Sequence, residues 1–320
     1  MNCMTTKKIH PNIFVYFLLL LVPLFWGGAF GTAKHIITEI PPFTAAGIRF
    51  GIAGVILVII TVLKREWKWI LLRKSWRGLF MMAMTGIFSY NAFFFIGLHY
   101  TSAINGSLII AASPIFITIG AVLFLKEKWN KLHGAGLLIS LAGVLLVIAN
   151  GSLKLLFSFT FNLGDILFLA ALLSWVIHGL IGKAVMRNVS PLFTTAATTI
   201  IGSIFLLICS LFENGWQHIA KMSTQSWIEM IYLIVFASVI AFFLWNMGVQ
   251  KIGASKAGIY MNLVPINAAW ISVVFYGSTM TWVHAIGIVL VIIGVYLVTF
   301  GGGNRIRMLQ KQNSKMTLNQ

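Results

Sequence analysis

Residues 113–143, SPIFITIGAVLFLKEKWNKLHGAGLLISLAG, and residues 264–294, VPINAAWISVVFYGSTMTWVHAIGIVLVIIG, are two versions of one segment. Sliding the chain against itself by 151 positions superimposes them without gaps, inside a window beginning at Gly97 and Gly248 that holds twelve identities. Pro114 falls on Pro265, Phe124 on Phe275, His133 on His284, Gly136 on Gly287 and Gly143 on Gly294. Apolar composition alone matches aliphatic residues by chance, but not readily a proline, a histidine and a spaced pair of glycines. A shift of 149 likewise pairs Trp26 with Trp175, Lys34 with Lys183 and Pro42 with Pro191. The chain is a duplication.

Of its 320 residues, 59% are hydrophobic and 9% charged, too apolar a mixture for a single soluble core to hide. Lipid must be the solvent. A spanning helix takes about 20 mainly apolar residues at roughly 1.5 Å each. Ten such runs occur, at 13–33, 42–63, 78–98, 105–125, 132–149, 164–182, 191–212, 227–249, 256–276 and 282–300. The longest joints between them, 64–77, 150–163 and 213–226, are too short for a separate soluble domain. An all-α integral membrane protein of ten transmembrane helices is expected, with one five-helix repeat at 1–149, a second at 150–300 and a polar tail at 301–320.

The net charge of +17 is decided by placement. Numbering the joints alternately puts nineteen of the 23 lysines and arginines on one side. Lys34, Lys154 and Lys221 fall on the other, and Arg49 lies inside a span. The crowded side is cytoplasmic by the positive-inside rule, which puts both termini inside and requires an even number of spans. Five spans per copy is odd, so the second copy is inverted relative to the first. Inverted repeats about an axis in the membrane plane are a transporter architecture, because two similar halves can exchange inward-open and outward-open states around a central site.

Charge spread over six cytoplasmic segments needs no partner beyond lipid headgroups, and nucleic acid is not expected. The basic, tryptophan-rich stretch KREWKWILLRKSWR, 64–77, reads as a helix lying in the membrane interface. Lys7 and Lys8 precede an uncleaved first helix, and the tail is expected to be disordered. Cys3 and Cys209 suggest neither a disulfide nor a metal framework. No GxxxxGK[ST] loop is present, so ATP is not an evident driver and no cofactor is expected. Six scattered acids give little support to a membrane enzyme, and duplication argues against a receptor without transport.

Pro114 followed by FLKEKW, the glycine helix GLLISLAGVLLVIA, and in the second half Pro265, VVFYGS and IGIVLVIIGVYLV resemble the drug/metabolite transporter superfamily in its EamA-type branch. The resemblance spans nearly the whole chain. It implies a carrier of the bacterial inner membrane, exporting amino acids or other small metabolites, with multidrug export as the alternative. Ser278 departs from the pattern, standing where the family commonly has an acid and where the first half has Glu127.

Polar groups at membrane depth either satisfy one another or line a watery path. The substrate-site candidates are Tyr90, Asn91, Ser113, Trp175, His178, Trp245, Asn246, Tyr260, Asn262 and Asn267, with Trp26 added as the equivalent of Trp175. Trp175 and His178 share a helix face at spacing three, as do Tyr90 and Phe94 at spacing four. Such a set makes an aromatic-walled cavity for a neutral or zwitterionic solute; for each residue singly, an interhelical hydrogen bond is the plainer reading. Pro114 and Pro265 are expected at a paired bend, for gating or for packing. Glu127 is expected in a local ion pair or helix-end role. Arg49, matching an Arg-Phe pair of the family with Phe50, is either a structural pin, with Glu39 near the same edge, or an anchor for a substrate carboxylate. The paired glycines 136/143 and 287/294 predict that the fifth and tenth spans pack closely, within the chain or in a homodimer.

Overall fold

The computed structural model describes residues 13–101, 103–128, 130–149, 162–276 and 281–300. Cys3, Lys7, Lys8, Lys154, Ser278 and the tail 301–320 lie outside the described residues. Among those described, every regular element is helical. In the first half these are α1 (Ile13–Glu39), α2 (Pro42–Leu63), α3 (Trp69–Tyr100), α4 (Ala103–Ile110), α5 (Ser113–Leu125) and α6 (Lys131–Ala149). The second half has α7 (Leu163–Val185), α8 (Pro191–Ser210), α9 (Thr224–Ile252), α10 (Ala254–Gly258), α11 (Val264–Tyr276) and α12 (Trp282–Phe300). Seven of these, α1, α2, α3, α7, α8, α9 and α12, are long and apolar enough to cross a membrane, and α5 and α6 are shorter apolar helices. Large apolar side chains such as Phe14, Phe17, Leu123, Phe124 and Phe212 stand exposed, as lipid contact requires.

The run 105–125 is not one helix. α4 stops at Ile110, Ala111 and Ala112 form a turn, and α5 restarts with Pro114 in its first turn, where the missing N–H costs no helix bond. The second half breaks in the corresponding place. There α10 passes into a 3₁₀ turn, Ile259–Leu263, before α11 restarts beside Pro265.

The basic, tryptophan-rich stretch differs from its expected form. It is no separate interfacial helix, because α3 begins at Trp69 and runs on through Arg77 into the third span. Nothing in WILLRKSWRGLF interrupts helical hydrogen bonding. The turn out of α2 is made by Arg65 in the left-handed region at φ 56°, and the Trp67 ring docks on Phe193 at 5.2 Å.

The two halves interlock through duplicated contacts. A Cβ added at Gly136 would lie 2.8 Å from the Gly294 carbonyl, and one at Gly143 would lie 2.5 Å from that of Gly287. Since Gly136 is the equivalent of Gly287 and Gly143 of Gly294, this exchanged pairing has the form that a two-fold relation imposes. The small faces of α6 and α12 are thus filled by each other inside one chain. Gly97 abuts Phe168, and its equivalent Gly248 abuts Leu19, the equivalent of Phe168. So α1 packs on α9 and α11, while α7 packs on α3 and α5.

The lysine pair follows the same rule. Lys34 donates to the carbonyls of Leu98 and Thr101 at the end of α3, and Lys183 donates to Gln250 O at the end of α9, at 2.8 Å. Cations at helix C-termini complement the carbonyls that the helix leaves unpaired.

Candidate functional site

The six acids set the electrostatics, and five of them serve the first turns of helices. Glu213 accepts from Phe43 N (3.0 Å) and Thr44 N (2.8 Å) at the start of α2. Glu66 accepts from Ser190 Oγ, the N-cap of α8, at 2.5 Å. Glu39 accepts from the N–H (2.8 Å) and Oγ (2.7 Å) of Ser223, the N-cap of α9. Asp165 closes a capping box with Asn162 on α7 and accepts from Thr101 Oγ1 at 2.8 Å. Glu127 accepts from Ala254 N (2.9 Å) and Ser255 N (3.3 Å) at the start of α10.

That settles the opening half of the repeated segment. Glu127 does hold a helix end, but in the other half of the chain, rather than pairing with Lys126 or Lys128 beside it. Negative charge at unpaired N–H groups and the positive end of a helix is stabilising. Gly253, at φ 97°, brings the backbone close enough for the contact, and a Cβ there would lie 2.9 Å from Glu127 Oε1. Glu127→Ala is expected to cost about 0.5–2 kcal/mol, the range for a lost N-cap. Thermal unfolding in detergent reads this, with Glu127→Gln intermediate. The sixth acid, Glu229, meets His35 Nδ1 at 2.7 Å and Gln225 Nε2 at 3.1 Å, joining α9 to α1.

A small cavity of about 30 Å³ lies between the halves. Its wall is Trp26, Ala29 and Phe30 of α1, Arg49 of α2, Tyr90, Asn91 and Phe94 of α3, Trp175 of α7, Phe242 of α9, Met261 of the 3₁₀ turn and Val264 of α11. Trp26 and Trp175, equivalent in the duplication, meet edge to face at 5.2 Å. Tyr90 lies 5.3 Å from the Trp175 ring and Phe242 5.7 Å from it.

Two π-helical turns interrupt helices that wall this cavity, Ala83–Ser89 in α3 and Leu233–Ile240 in α9. A π-turn disturbs the regular i→i−4 ladder, and such turns recur at functional sites. A side chain from the other half bonds at each: Trp26 Nε1 donates to Ala237 O within the second turn at 2.8 Å, and His178 Nδ1 lies 3.0 Å from Met82 O, immediately before the first. Asn91 Nδ2 donates to Ile87 O at 2.8 Å within the first turn, and Arg49 Nε donates to Ser238 Oγ at 2.8 Å in the second. Arg49 is therefore not paired with Glu39, which is engaged at Ser223 at the start of α9, whereas Arg49 bonds in the middle of that helix.

Of the residues singled out in the sequence, Trp26, Tyr90, Asn91, Trp175 and Arg49 come together at the cavity. His178 is stacked behind Trp175 at 5.2 Å and packs over Gly86, where no side chain would fit. Trp245 backs the same cluster, 5.2 Å from Trp175. Ser113 and Tyr260 are buried at the helix breaks, away from the cavity wall. Asn246 ties α9 to Thr195 Oγ1 at 2.9 Å, Asn262 ties the 3₁₀ turn to Ser140 Oγ at 2.8 Å, and Asn267 returns to Leu263 O in its own helix. The wall residues Ala29, Phe30, Phe242, Met261 and Val264 carry no distinguishing signal, since the same residue types face lipid elsewhere.

A bundle of apolar membrane-spanning helices, duplicated and closed around a cavity between its halves, defines a multi-pass membrane protein of the transporter class. The sequence model of the EamA-like transporter family matches residues 13–149 and again residues 162–300. The chain belongs to the EamA-like transporter family of the drug/metabolite transporter superfamily. It is 34% identical over 286 residues to the uncharacterized transporter YyaM of Bacillus subtilis (strain 168), covering 89% of this chain and 93% of that protein. An uncharacterized transporter of Archaeoglobus fulgidus is 28% identical over 291 residues, covering 90% and 98%. A solved crystal structure has the same fold at TM-score 0.76 and 20% identity, covering 91% of this chain and 97% of that one.

Proposed function

We propose that the chain is a secondary carrier of the cell membrane, not an enzyme, that exports small metabolites such as amino acids by alternating access at this cavity. On this reading ten spans form two inverted five-helix repeats, at 1–149 and 150–300, with both termini and the tail 301–320 cytoplasmic. α4 with α5, and α10 with α11, each make one broken span. The observation that carries the reading is the cross-half bonding at the cavity: Trp26 of one half bonds within the π-turn of the other, and His178 bonds the residue at the start of the opposite π-turn. A rocking of one half against the other changes both sides of the cavity at once. The exchanged glycine contacts and the double family match support the inverted repeat.

The experiment compares metabolites released by overproducing cells and by cells with an empty vector, followed by counterflow of the released compound in liposomes. Release of one or a few compounds that the purified protein then carries is the expected result. No difference in release, uptake or resistance to toxic compounds, together with inert liposomes, contradicts it.

A further inference from the structure

We propose that the solute in this cavity is a monocarboxylate with an apolar body, and that its carboxylate pairs with Arg49. The inference rests on reading the cavity as the substrate site and names what that site selects.

Arg49 is 4% exposed and lies within a membrane-spanning helix. A buried cation there costs several kcal/mol unless something compensates it. Nothing in the chain supplies the compensating charge. All six acids have partners elsewhere: Glu39 at Ser223, Glu66 at Ser190, Glu127 at Ala254, Asp165 at Asn162, Glu213 at Phe43 and Thr44, and Glu229 at His35. What Arg49 has is the neutral hydroxyl of Ser238 on Nε, the ring of Phe50 at 4.6 Å, and the nearby side chains of Tyr90 and Tyr232, none of them a carboxylate. The missing anion is therefore expected from outside.

A second donor on the same wall points to an acceptor as well. Trp175 is buried, lines the cavity, and its indole N–H has no hydrogen-bond partner. A guanidinium suits an oxyanion, and the buried indole N–H beside the cavity is left with a bond to give. Apart from Asn91 and the Tyr90 hydroxyl, the remaining wall is aromatic and aliphatic, which suits an apolar body. The charge is not duplicated, because the equivalent of Arg49 at a shift of 149 is Thr198, whose hydroxyl is used on Thr194 O of its own helix. One cation without a twin fits one carboxylate rather than two. No acid lines the cavity, so an α-amino group would meet only ring faces and the neutral oxygens of Tyr90 and Asn91.

The test is ligand-induced thermal stabilisation of the purified full chain in detergent, with four probes at equal concentration. Phenylacetate against phenylacetamide separates charge from shape; leucine against 4-methylpentanoate separates an amino acid from a simple acid. Phenylacetate and 4-methylpentanoate are expected to raise the melting temperature, leucine to raise it less than 4-methylpentanoate, and phenylacetamide to leave it within error. Arg49→Gln is expected to weaken apparent carboxylate affinity at least tenfold, and Arg49→Lys to keep part of it. In ligand-free protein, Arg49→Met is expected to melt at or above the wild-type temperature, since an uncompensated charge is removed; a structural pin would melt lower.

Equal stabilisation by acid and amide, or carboxylate preference unchanged in Arg49→Gln, overturns the role of Arg49 while leaving the cavity as the site. Carboxylate stabilisation that persists in Ala29→Trp, which fills the cavity, overturns the site reading together with the proposal. No stabilisation by any carboxylate overturns the proposal outright.

Discussion

Gly143→Leu is expected to lose the native fold or to melt at least 10 °C lower than the wild type in detergent, while Gly31→Leu is expected to melt with it. The two glycines differ only in what surrounds them. A Cβ at Gly143 would lie 2.5 Å from Gly287 O, 2.8 Å from Val291 N and 2.9 Å from Leu290 Cβ, and two of these atoms are backbone that no rotamer change can move. At Gly31 nothing stands within 4 Å. Over-packing a tight interface costs about 1–3 kcal/mol, occasionally more, and here the whole crossing of α6 and α12 must open. In a bilayer the helices gain little from burying apolar surface that lipid would cover equally well, so close packing of small faces carries the association. Equal melting of both variants would show that α6 and α12 do not meet as described.

Trp175→Ala is the second large effect, and it falls on both stability and transport. The side chain touches Trp26, Tyr90, His178, Phe242 and Trp245, with ring centroids 5.2–5.7 Å away. Deleting a buried tryptophan costs about 3–5 kcal/mol when the surroundings cannot collapse, and this cluster is fixed by hydrogen bonds on two sides. Transport is expected to fall more than tenfold even in protein that reaches the membrane, because the wall common to both halves is gone. Asn246→Ala is the control. Its amide makes one bond to Thr195 outside the cavity wall, so a loss of about 1 kcal/mol and near-normal transport are expected. Normal transport by well-expressed Trp175→Ala would remove the cavity from the mechanism.

The duplication was legible because a proline, a histidine and spaced glycines mark it against an apolar background. Gly136, Gly143, Gly287 and Gly294 could be read as close-packing faces from their spacing alone. Their partners could not, since α6 and α12 meet across about 150 residues of chain. Glu127 shows the same limit. A helix-end role follows from its place after an apolar run, whereas the helix it caps begins at Ala254, which no local pattern names. The π-turns are invisible in AMTGIFS and LIVFASVI, whose composition suits an ordinary helix; Trp26 and His178, which bond within one and at the start of the other, are far away in sequence. Arg49 stood out as a lone cation in a span. Its lack of a counter-charge emerges only when each acid is seen engaged elsewhere. Phe30 and Phe242 at the cavity are chemically the same as the lipid-facing Phe14 and Phe17, so hydrophobicity cannot separate them.

The most direct measurement uses Tyr90→Cys in a chain whose Cys3 and Cys209 are replaced by serine. A membrane-impermeant thiol reagent is applied to the outer face of cells and, separately, to the cytoplasmic face of inside-out vesicles. A cavity that opens alternately to the two sides predicts labelling of position 90 from either face. Labelling from one face alone, or from neither, would contradict alternating access at this site.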